Sequence, residues 1–109
     1  MGEDFRKWGL PINVVLIVRA VCSDYDRRNN IIKFNTASEE VIAHYREVNG
    51  CIDKALEEIE VGIRRDMLND IILNRGYDFS PISPFLAKNT YSPRKRKTVY
   101  SIAKAMHLI

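Results

Sequence analysis

The sequence predicts an all-α protein, a small helical bundle of about four to five helices closed by a C-terminal helix-turn-helix-like unit. Three observations predict it. Apolar residues recur at three- and four-residue spacing over most of the chain, which is the period of a helix face. Only four prolines and five glycines occur in 109 residues, and the stretches between them are rich in Lys, Glu, Leu and Ile, which favour helix over strand. Three Ser-Pro pairs, beginning at Ser80, Ser83 and Ser92, each have the form of a helix cap followed by proline at the first helical position. The length suits one domain: a lead-in over 1–12, a helical body over 13–76 and a basic helix-turn-helix-like part over 77–109.

The lead-in holds the lone tryptophan, Trp8, as an aromatic pin. The first element runs from Asn13 to about Ile32. Its "VVLIV" has strand propensity, yet Val14, Ile17, Val18, Val21 and Tyr25 fall at helical spacing and the run outlasts an ordinary strand, so it is read as helix with Asn13 as cap. The second element, "TASEEVIAHYREVNGCIDKALEEIE", is the clearest. Thr36 stands three residues before Glu39, the spacing of a capping box, with Ser38 as rival cap. Val41, Tyr45, Val48, Ile52, Ala55 and Ile59 then form one apolar stripe with acids opposite. This is a packing helix first and an oligomer seam second. Gly50 weakens it by about 1 kcal/mol relative to alanine.

The third element spans Ile63 to about Asn74. Ile63, Met67, Leu68, Ile71 and Ile72 share a side, and Gly76 follows where a left-handed glycine would end the helix. A short helix is expected around Phe85, Leu86 and Ala87, broken at Asn89-Thr90, with Ser92-Pro93 opening the last helix. At 100° per residue, that helix places Val99, Ile102, Ala103 and Met106 on one arc and Arg94, Lys97, Thr98, Ser101 and Lys104 on the other. Arg96 lies at the border, and Lys95 lies on the apolar side.

The charge is divided along the chain. Residues 1–60 hold eight Lys/Arg against eleven Asp/Glu, residues 61–109 nine against three, and the net is +3. Between Pro84 and Ile109 stand six cations and no acid. The run Arg94-Lys95-Arg96-Lys97 is unusual for a helix start, because cations there oppose the macrodipole by about 0.3–1 kcal/mol each at exposed sites. An arriving phosphate would reverse that cost, meeting backbone N–H groups and cations together. A short helix, a tight turn and a helix with cations at its amino end is the order of a helix-turn-helix.

Other chemistry finds no support in the sequence. Two cysteines, Cys22 and Cys51, and two histidines, His44 and His107, have no metal-ligand spacing, and no phosphate loop or nucleophile elbow occurs. No enzyme and no cofactor is expected. Asp24, Asp26, Arg27 and Arg28 read as a hydrated helix end with weak internal pairs. The longest apolar run, Val14 to Val18, falls far short of the ~20 residues of a membrane span, so no membrane partner and a reducing cytoplasm are expected.

The carboxyl segment "KNTYSPRKRKTVYSIAKAMHLI" resembles the C-terminal signature of small phage- and prophage-encoded transcriptional regulators of the ArpU/RinA type, in which a tyrosine-containing turn, a basic stretch and an "IAK" helix close a unit similar to the DNA-binding end of sigma factors. "SDYDRR" and "IDKALEEIE" also look like the body of such proteins. The likeness implies a sequence-specific DNA-binding regulator of phage or prophage genes, with double-stranded DNA as partner; the acidic helix adds RNA polymerase or a second copy of the chain as further candidate partners. It implies a recognition helix from Ser92 to Ile109, with Tyr91, Arg94, Lys95 and Lys97 facing DNA. The residues of the turn and the outer arc complete the expected DNA-contacting set: Lys88, Asn89, Thr90, Ser92, Arg96, Ser101 and Lys104. The alternative is a phage assembly or packaging adaptor, or an interaction module, acting through the acidic amphipathic helix.

Overall fold

The computed structural model describes residues 9–109; Trp8 and most of the lead-in lie outside them. Among the described residues the chain is all-α, with no strand. Five α-helices follow one another: α1 Ile12–Ser23, α2 Tyr25–Phe34, α3 Glu39–Leu56, α4 Arg64–Leu73 and α5 Lys88–Ala105, with single 3-10 turns at Val61–Ile63 and Tyr77–Phe79. One apolar core joins them, built from Val14, Val18, Ile52, Met67, Leu68, Ile71, Ile82, Val99 and Ile102 with their neighbours. Leu10, placed in the lead-in by the sequence, is part of that core.

The first expected helix is two helices, and its cap is Pro11 rather than Asn13. The break falls at Asp24 (φ −96°, ψ 5°), and its cause is polar. Ser23 Oγ donates to the Ala20 carbonyl at 2.6 Å, while the Arg28 guanidinium reaches back to donate to the Val21 carbonyl at 2.5 Å. The last carbonyls of α1 are thereby satisfied without further helix. Arg28, read from the sequence as hydrated, is 5% exposed and donates through Nε to Asn49 Oδ1 at 2.6 Å. Asn49 Nδ2 donates in turn to the Tyr25 carbonyl and to Asn29 Oδ1. This network docks α2 on α3.

It also explains the one-residue rotation of α3. The buried face is Ile42, Asn49, Ile52, Ala55 and Leu56; Val41 is exposed, and Tyr45 and Val48 are half-buried. Ser38, the rival cap, is the one used, accepting from the Val41 amide at 3.3 Å. Left-handed residues end α2 at Asn35 (φ 55°) and α4 at Asn74 (φ 52°). In each case the next amide bonds five residues back, Thr36 to Ile31 and Arg75 to Asp70, the Schellman closure. Asparagine, which tolerates this conformation, thus does what was expected of Gly76, whose own φ is −82°. Arg19 on α1 then donates to the Ile71 and Ile72 carbonyls, tying α1 to the end of α4.

Candidate nucleic-acid interface

The sequence placed the start of the last helix at Ser92; the structure places it at Lys88. Asn89 and Thr90, expected to break the chain, lie in its first turn, and Ser92-Pro93 lies inside it rather than capping it. Pro93 removes the amide that would have met the Asn89 carbonyl. The segment before it forms no short helix: residues 81–86 are turns, held by Phe85 N–H to the Ile82 carbonyl at 2.8 Å and Leu86 N–H to the same oxygen at 3.2 Å. The two Ser-Pro pairs suit turns as well as caps, and here they make turns. The short first helix expected around Phe85, Leu86 and Ala87 is therefore not formed.

The early start follows from what α5 buries. Tyr91, Lys95, Thr98, Val99, Ile102 and Ala103 form its inner face, so the face begins one turn before the basic run. Tyr91 is fully buried and Asp70, on α4, has no exposed surface. The Tyr91 hydroxyl donates to Asp70 Oδ2 at 2.8 Å. Arg75 Nε donates to Asp70 Oδ1 at 2.7 Å, and Ser80 Oγ donates to Oδ2 of the same carboxylate while accepting from the Ile82 amide at 3.0 Å. Lys95, 1% exposed, donates to the Arg75 carbonyl and lies 6.0 Å from the Tyr91 ring centre. Tyr77 packs edge-on to Tyr91, with ring centres 5.3 Å apart, and its hydroxyl lies 2.7 Å from the Leu86 carbonyl. One buried carboxylate thus pins the 74–87 loop and the first half of α5 to α4. Tyr91 and Lys95, expected to face DNA, are part of this lock.

The remaining candidates divide into two flanks. On one, Arg94 donates to Glu60 Oε1 and Lys97 lies 3.2 Å from Glu58 Oε2. The acidic segment just beyond α3 therefore lies beside them. The hydrogen bond from Arg94 holds the Glu60 carboxyl below its usual range. On the other flank, Lys88 and Asn89 are exposed and Ser92 and Arg96 half-exposed; at 100° per residue they share one side of the first two and a half turns. Thr90 is half-buried and Thr98 buried, its hydroxyl donating to the Arg94 carbonyl at 2.8 Å. Ser101 and Lys104 lie further along the outer arc.

The amino end of α5 has no side-chain cap, Ala87 standing at the cap position, and no acid in its first turn. The first bonded amides are those of Thr90 and Tyr91, both to the Ala87 carbonyl. A helix end of this kind presents N–H groups and the positive pole of the dipole outward. Among the described residues no three His, Cys, Asp or Glu side chains gather to hold a metal ion, and no helix is long and apolar enough to cross a membrane.

Sequence reasoning missed Asp70. The signal was present: Asp70 sits between Met67 and Ile71 on the apolar side of α4, where an unpaired acid would be costly, so a set of donors had to be near. No protein-family model, curated protein or solved structure matches the chain.

Proposed function

We propose that the protein is a DNA-binding transcriptional regulator of phage or prophage origin, which contacts duplex DNA through the first turns of α5, with Lys88, Asn89, Ser92 and Arg96 as the reading stripe. The observation that carries this is the division of α5. Its inner face is held by Asp70, Tyr91 and Lys95, while its uncapped, acid-free amino end carries a polar and cationic stripe on the outside. A helix entering the major groove leads with that end. Cations and N–H groups there position it on phosphates, and amide and guanidinium groups suit purine edges. The resemblance of the carboxyl segment to ArpU/RinA-type regulators supports the same reading.

The test is a selection on random duplexes at low and moderate salt. We expect enrichment of a defined sequence with affinity that falls as salt rises, and Lys88→Glu with Asn89→Ala, both at exposed positions, weakens it while the melting temperature holds. Each lost phosphate contact lowers the salt slope by about 0.9. No retention of any duplex at low salt overturns the proposal.

One observation favours the second reading, a phage assembly or packaging adaptor. The outer side of α1 exposes Ile12, Leu16 and Ile17, residues that an assembled ring would cover. Light scattering separates the two: a large closed oligomer with no duplex affinity selects the adaptor, and a small species that retains DNA selects the regulator.

A further inference from the structure

Between α3 and α5 lies an open groove that the proposed DNA contacts do not use. The buried Ala55 and half-buried Cys51 of α3, with the half-buried Tyr100 and exposed Ala105 of α5, supply its apolar lining. Its edges carry three lysines, Lys54 from α3 and Lys97 and Lys104 from α5, against one acid, Glu58. That acid is already engaged, 3.2 Å from Lys97, so Lys54 and Lys104 dominate the rest of the rim. Both are exposed.

We propose that this groove is a docking site for a protein partner, an amphipathic helix with a small apolar stripe flanked by carboxylates. Two properties select that occupant. The groove is predominantly apolar, and a phosphodiester backbone gains nothing from apolar burial, whereas an amphipathic helix seats its apolar side in such a furrow and reads it at i, i+3, i+4 and i+7. The excess of positive charge on the rim then selects acids on the partner's flanks and disfavours basic helices. The site is separate from the reading stripe, since Lys88, Asn89, Ser92 and Arg96 are not among its lining residues. The chain could therefore hold DNA and a partner at once.

Cys51 supplies an internal reporter. It is half-buried in the groove, whereas Cys22 is fully buried, its thiol pushed up to about 12 by that burial. A mild thiol reagent therefore modifies Cys51 and spares Cys22. The experiment displays a library of helical peptides, with apolar and charged positions both randomised, to the full-length chain. We expect the selected peptides to be acidic and to slow modification of Cys51. Their affinity should fall roughly tenfold or more in the Lys54→Glu, Lys104→Glu double variant, which should melt as the parent does. A duplex bound at α5 should leave the rate of Cys51 modification unchanged. Selection of neutral or basic peptides, binders indifferent to the double variant, or protection of Cys51 by duplex alone would each overturn the inference. None of these outcomes depends on whether DNA is read by Lys88 and Asn89, which the duplex selection tests separately.

Discussion

Two stretches of dense charge, Asp24 to Arg28 and Arg94 to Lys97, look alike as text and behave alike in one respect. Each turns a single cation inward. Arg28 donates to the Val21 carbonyl near the end of α1, and Lys95 donates to the Arg75 carbonyl just beyond α4. Both meet carbonyls at the negative end of a helix dipole, which favours a cation. Their neighbours stay outside and pair on the surface, Arg27 with Asp24 and Arg65 with Asp26 at one site, Arg94 with Glu60 and Lys97 with Glu58 at the other. The difference lies in what surrounds the buried cation. Arg28 is held chiefly by the neutral Asn49, with Asp24 3.5 Å away at the rim. Lys95 adjoins a hub built on a fully buried carboxylate. A neutral acceptor tolerates loss of its partner; a buried carboxylate does not.

That contrast fixes an order of effects. Asp70→Ala removes the acceptor of three donors and should destabilise the fold by about 3–5 kcal/mol, the usual result of breaking a buried charged network; urea denaturation measures it. Lys95→Met keeps the packed stem and abandons one carbonyl, so about 1–3 kcal/mol is expected. Arg28→Met abandons the Val21 carbonyl and the buried Asn49 amide oxygen, so a loss at least as large as that of Lys95→Met is expected. If Asp70→Ala proves no more damaging than Arg28→Met, the contrast between the two hubs is wrong. Replacing Lys97 or Glu58 should leave the melting temperature nearly unchanged, because exposed pairs contribute little.

The smallest effect is in acid. Arg27, Arg65 and Arg94 hold the carboxyls of Asp24, Asp26 and Glu60 below their usual range through hydrogen bonds. Their stabilising share is therefore complete above the unfolded carboxylate range, near pH 4, and is lost as pH falls through the lower folded values. Asp26 and Glu60 are exposed and Asp24 is half-exposed, so thermal melts between pH 6 and 4 should differ little, with a decline below that which salt flattens.

The helical class and the position of α3 were legible in the sequence because both follow from periodicity, which a single chain displays. The stripe from Ile52 to Ile59 is a case where spacing sufficed. The division of α1 from α2 was not legible, because it depends on Arg28 reaching a carbonyl seven residues back. The start of α5 was misplaced for a related reason. Ser92-Pro93 has the form of a cap, and only the burial of Tyr91 against Asp70, 21 residues away, shows that the helix must already be running there. Of the four cations in the basic run, Lys95 fell on the apolar side of the wheel and was still expected to face DNA; its bond to the Arg75 carbonyl, and the pairing of Arg94 and Lys97 with the acids just beyond α3, depend on segments that no local pattern brings near. Of the DNA-contacting set expected from the sequence, the proposal places Lys88, Asn89, Ser92 and Arg96 foremost.

The most direct test sets two variants against each other in one pair of assays, duplex affinity at low salt and urea stability. Lys95→Met should lose stability and keep its affinity for DNA, while Lys88→Ala with Asn89→Ala, both at exposed positions, should keep stability and lose affinity. If Lys95→Met instead abolishes DNA binding in a fully folded protein and the double variant binds as the parent does, the buried lysine is the reader and the division of α5 proposed here is wrong.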